Sequence, residues 1–194
     1  MDPDDNLNLV QPVNPWGGNA WSMYTEYFQW RPTHNSNSKQ YKVNAGETLH
    51  GSIVYNKNED SYLLSQQIVE TGAVSSQTVP CQDGKKYTIP YIVYEKLFPC
   101  GDYPPDGIVT FRNITAECDG VDCTKDIVWE AKVKDANCNM AARIDYPQPG
   151  EISITWDTSM PSAYDGLSYD DLEALNGQSG WGKSLVQSRR QVEI

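Results

Sequence analysis

The chain has 194 residues, with 26 acidic against 15 basic side chains and a formal net charge of −11, a length that suits one domain burying roughly 70% of its unfolded surface. That balance excludes nucleic acid, whose phosphates need clustered Lys and Arg, and an anionic membrane surface is repelled for the same reason. No apolar run approaches the ~18 residues that cross a bilayer, and the acidic opening "MDPDDNLNLV" has no apolar region of the kind a signal peptide carries.

In chain order, alternation of β-branched and aromatic residues predicts strands at "MYTEYFQW" (23–30), "KQYKVN" (39–44), "TLHGSIVYN" (48–56), "SYLLSQQIV" (61–69) and "YTIPYIVYEK" (87–96). Further strands are predicted at "GIVTFRNI" (107–114), "DIVWEAKV" (126–133), "MAARIDY" (140–146) and "EISITWD" (151–157). Turn-forming stretches such as "NAGE", "NKNED", "DYPPDG" and "PQPG" separate them. Short strands without a sustained helical period indicate an all-β fold, a two-sheet antiparallel sandwich of jelly-roll, concanavalin-like type, over residues 1–157. Residues 158–194 read as a peripheral tail with one short helix, "YDDLEAL", which Ser168 caps and Asn176-Gly177 stops.

Five cysteines and two histidines, with no CxxC pair, argue against structural zinc and for disulfides, with one cysteine left over or paired between chains. Cys118 and Cys123 flank the turn "DGVD" and are expected to pair locally. Asn113-Ile114-Thr115 is an N-glycosylation sequon, so the chain is read as extracellular. Asp102, Asp106, Asp119 and Asp122 lie in loops without EF-hand spacing and are read as turn formers, so neither a metal nor another cofactor is expected.

Several segments in series resemble the eqolisin (glutamic peptidase) family and its non-peptidase relatives. "NLVQPVNPWG" looks like the strand bearing the catalytic glutamine, with Gln11 in that place. "MYTEYFQWRP" resembles the family's aromatic strand, "YKVNAGETLHGSIVY" its Gly-acidic turn at Gly46-Glu47, and "YTIPYIVYEK" the strand with the catalytic glutamate. The resemblance implies a secreted β-sandwich in which Gln and Glu activate water at acid pH. The chemistry suits that dyad: a carboxyl moves a proton, and a neutral amide donates to an oxyanion at any pH.

The chain departs from the pattern at Pro90, which stands where the glutamate is expected and can neither donate nor accept a proton. Glu95, five residues on, belongs to the opposite face of an unbulged strand. The resemblance also places Tyr27 and Gln29, next to Trp30, on the substrate cleft, an aromatic platform with an orienting amide. These features are expected to give a protein that binds a glycan, peptide or protein surface in its concave face without cleaving it. The rival is an acid glutamic endopeptidase using Gln11 with Glu95 or Glu26. A third reading follows from the ten residues before Gln11, where the family has several strands: an exposed sheet edge that pairs with another chain, with residues 1–10 or the tail as donor.

Overall fold

Period-two alternation gives most strands one buried and one exposed face, and joining the buried faces builds the architecture. The computed structural model describes residues 8–29, 33–81, 87–94, 99–133, 137–145, 150–178 and 184–188. Its strands pair antiparallel throughout, in an all-β, sandwich-like fold. The chain groups into two compact units, Met1–Ile89 and Pro90–Val192. Among the described residues no helix is long and apolar enough to cross a membrane.

In the first unit, β1 (Asn8–Val13) pairs with β2 (Trp21–Gln29), whose other side takes β3 (His34–Asn37) and β4 (Tyr41–Val43). Glu26 stands opposite Asn37 but Met23 opposite Tyr41, so Tyr24 and Thr25 face three residues, Ser38 to Gln40. This is a β-bulge with one extra residue. A tight turn then crosses to the second sheet, with Gly46 at φ +87° and the Glu47 carboxylate accepting the Asn44 N–H at 2.6 Å. That sheet has the order β5 (Leu49–Asn56), β6 (Ser61–Ile68), β7 (Val74–Pro80).

The two sheets face each other across apolar clusters separated by a polar band. One cluster joins Val10 and Tyr27 to Tyr62, Leu64, Val79 and Tyr87; the other joins Met23 and Val43 to Ile68. Each such side chain contributes about 1.5–3 kcal/mol when fully buried. Between them, the Gln66 amide, 1% exposed, donates to the Tyr24 and Val13 carbonyls at 3.1 and 3.3 Å and accepts from Asn14 at 2.8 Å. Gln77 likewise donates to the Thr25 and Ser36 carbonyls at 2.9 and 3.0 Å.

The bulge is closed by a hydroxyl chain. Thr25 N–H and Oγ1 both donate to Ser38 Oγ, at 2.8 and 2.9 Å. Ser75 Oγ gives its proton to the Lys39 carbonyl, so Ser38 is the donor in the 2.6 Å Ser38–Ser75 contact. Aligned hydroxyls of this kind polarise one another.

The second unit holds β8 (Tyr91–Tyr94), β9 (Ile108–Phe111), the hairpin β10 (Glu117–Cys118) and β11 (Val121–Asp122), β12 (Trp129–Val133), β13 (Ala141–Asp145), β14 (Glu151–Thr155), α1 (Tyr169–Gln178) and β15 (Ser184–Ser188). Two three-stranded sheets result, ordered β12-β15-β8 and β13-β14-β9. Their core gathers Tyr103, Met140, Ile154 and Trp156 around a buried Cys100–Cys138 disulfide, and the Trp156 indole donates to the Pro104 carbonyl at 2.7 Å. Cys118 pairs with Cys123 as expected, and Cys81 lies outside both disulfides. Ser168 caps α1: its Oγ accepts the Asp171 N–H at 3.2 Å and bonds the Asp171 carboxylate at 2.6 Å.

Local differences from the expected elements have physical causes. Among the described residues the predicted strand 87–96 begins only at Tyr91, as β8, because Pro90 has no N–H and restrains Ile89, so Tyr87 packs into the first unit while Tyr91 begins a strand of the second. β3, β7 and β15 are strands whose sequences, rich in Ser, Asn and Gln, lack the apolar alternation that would announce them. α1 runs through Asn176-Gly177 to Gln178 rather than stopping there.

Replacing Gln66 by Met keeps the volume but strands two carbonyls and the Asn14 amide, and is expected to cost about 2–3 kcal/mol in urea denaturation. An unchanged midpoint would mean that the polar band does not hold the sheets. Removing Cys100–Cys138, which closes 38 residues, is expected to cost about 4 kcal/mol, and removing Cys118–Cys123, which closes 5, about 2 kcal/mol. Denaturation of the two double Cys→Ser variants checks the order.

Candidate functional site

Pairing of β1 with β2 sets Gln11 directly opposite Glu26. Both project away from the inter-sheet core, on the face opposite Thr25 and Tyr27. Gln11 Nε2 donates to Glu26 Oε2 at 2.7 Å, and Asn35 Nδ2 donates to the other carboxylate oxygen at 2.8 Å. The half-buried carboxylate therefore holds an amide on each oxygen. A Gln and Glu dyad for peptide hydrolysis needs a water between amide and carboxylate, with the amide aimed at the developing oxyanion. Here direct contact closes that gap, and one of the two amide protons is already engaged by the carboxylate itself.

Glu95 and Trp30 lie outside the described residues. Pro90 is half-buried just ahead of β8, in the second unit, whereas Gln11 belongs to the first. Tyr27 is 3% exposed within the apolar cluster, its hydroxyl donating to Gln29 Oε1 at 3.0 Å and its ring tilted against His34 at 5.8 Å. That position makes it core and leaves no open aromatic platform at this residue. Asn113 is exposed, in a bend after β9 at φ +52°, so its amide stands clear of the sheet. Asp119 forms a turn at φ +49° and Asp122 accepts the Thr124 N–H at 2.9 Å. Among the described residues no three His, Cys, Asp or Glu side chains are grouped to hold a metal.

One surface was not anticipated. β5, β6 and β7 are eight, eight and seven residues long, and none of them contains Asp, Glu, Lys or Arg. Their outward side chains form rows across the sheet: Ser52–Ser65–Ser76 in the centre, Val54–Leu63–Thr78 on one side and His50–Gln67–Val74 on the other. Val54, Leu63 and Val74 are 54%, 44% and 44% exposed. Charges are confined to the connecting turns, at Lys57, Glu59, Asp60 and Glu70. The signal was present as three charge-free segments between charged turns, but their facing needed the register.

Chemically, this face is a lattice of hydroxyls, amides and aliphatic groups spaced about 4.8 Å between strands and about 7 Å between rows. It can offer hydrogen bonds and apolar contact without desolvating an ion. Comparison with family models, curated proteins and solved structures finds no match to this chain.

In the first unit burial pushes the Tyr87 phenol up, with Tyr27, Cys81 and Tyr62 adding to it; in the second unit burial and then Tyr103 do the same for Tyr94. A phenol whose folded pKa is raised contributes its full stability below the unfolded value of about 10, and loses it as pH climbs through the folded value. Stability is therefore expected to hold up to about pH 10 and fall beyond it. These two rings should ionise only on unfolding. Parallel ultraviolet absorbance and circular dichroism at alkaline pH test this, and Tyr87→Phe should lessen the decline.

Proposed function

We propose that this chain is a secreted recognition module of eqolisin-like descent that binds a glycan, peptide or protein surface of low charge without cleaving it. The observation that carries the reading is the charge-free outward face of β5, β6 and β7 on a protein whose net charge is −11. An exposed face that avoids charge over three strands suits a partner that must be desolvated over its contact area. The engaged Gln11 amide supports the non-catalytic half of the proposal. Two disulfides suit an oxidising compartment, and the exposed Asn113 is the expected glycan acceptor there.

Two measurements test it. Retention on insoluble neutral polysaccharides and on an immobilised peptide array should be seen for the wild type, and should fall at least about tenfold for Ser65→Glu, which places an unpaired charge in the central row. No retention on either support, or equal retention of both proteins, would overturn the binding reading. Digestion of a denatured protein near pH 3 should show no cleavage. Cleavage lost in both Gln11→Ala and Glu26→Gln would establish the acid endopeptidase instead.

A further inference from the structure

Sheet edges are normally guarded against pairing with other chains, by charge, by Pro, by short length or by side chains tied across them. Most edges here follow that rule. β1 carries Pro12, β4 is three residues long with Lys42 at its centre, and β12 presents Glu130 and Lys132. β7 ends at Pro80, and its Ser75 and Gln77 are bonded to the Lys39 and Ser36 carbonyls.

β5 breaks the rule. Among the described residues it pairs with β6 on one side and with no strand on the other. It is eight residues long, has no charge and no Pro, and includes Leu49, Ile53, Val54 and Tyr55, side chains that favour extended pairing. Its outward residues belong to the charge-free face, so edge and face are continuous.

We propose that β5 is a homodimerisation edge, at which a second copy of this chain adds its own β5 antiparallel across a twofold axis. Charge selects this partner and this place. Each copy carries −11, so contact over the acidic remainder of the surface sets carboxylates against carboxylates, whereas β5 brings two uncharged strands together. Facing restricts the register: a continuous sheet requires outward residues to meet outward residues, so the axis passes through a residue, and greatest overlap of the two eight-residue strands makes that residue Ser52 or Ile53. In both cases a large inward side chain meets Gly51. That glycine sits close under β1, where an added Cβ would lie 3.3 Å from Pro12. Pairing creates a six-stranded sheet with the order β7-β6-β5-β5-β6-β7 and doubles the flat face. The inference goes beyond ligand binding, and sedimentation without ligand tests it separately.

A single strand pair buries less than a standard interface of about 1,600 Å², so a micromolar equilibrium is expected. Sedimentation of the full chain should show a monomer–dimer equilibrium that tightens as salt screens the net charge. Ser52→Glu, which sets carboxylates close across the axis, should weaken it about fivefold or more. Thr78→Glu adds the same charge to the same face at the far edge and should leave it unchanged, with circular dichroism confirming that both variants fold. A wild type that stays monomeric at all concentrations would overturn the proposal. Equal weakening by both variants would overturn it in favour of face-to-face stacking, and no weakening by Ser52→Glu would place the contact elsewhere.

Discussion

The bulge opposite Thr25 is the constraint on which the first unit depends. An extra residue between β3 and β4 interrupts the ladder, and the N–H of the buried Thr25 and the Lys39 carbonyl are left for side chains to satisfy. Buried backbone groups left unpaired cost about 1–3 kcal/mol each, so the facing sheet has to supply partners. It does so with Ser75, Gln66 and Gln77, and Ser38 relays between Thr25 and Ser75. The middle of the sandwich is therefore polar by necessity, and the apolar clusters are pushed to either side of it. Because a one-residue slip of β6 or β7 would strand every one of these groups, the band also sets the register of the second sheet.

That register has consequences for the outer surface. With Gln66, Ser75 and Gln77 held inward, the alternate residues Ser65, Gln67, Val74, Ser76 and Thr78 must face outward. The charge-free face is thus the reverse side of the polar band. The same alternation turns Tyr27 into the core and Glu26 outward to Gln11. Polar side chains serve the interior, and uncharged ones present the exterior, of a sheet whose charges are left to its connecting turns.

Much of the fold was legible as sequence. Leu49–Asn56 and Ser61–Ile68 emerge almost as read, because aromatic and β-branched residues alternate between turn-forming clusters. The turn at Gly46-Glu47 and the Cys118–Cys123 pair are local, and local geometry is what spacing reports. β7 was not legible, since "VSSQTVP" looks like a polar loop until Ser75 and Gln77 find backbone partners on the other sheet. Cys100–Cys138 was equally hidden, because 38 residues of intervening chain carry no spacing signal. Pro90 read as a missing catalytic group; in the structure it stands at the start of the second unit.

By itself the sequence determined the net acidic charge and what depends on neighbours along the chain: strands and their turns, the capped helix and the local disulfide. Tertiary structure alone decided which amides and hydroxyls are buried, that Gln11 meets Glu26, and that three uncharged strands share one open face. The reason is physical. A side chain's partner across a sheet, or between sheets, is chosen by register, and register is settled only when the buried polar groups of both sheets are satisfied together.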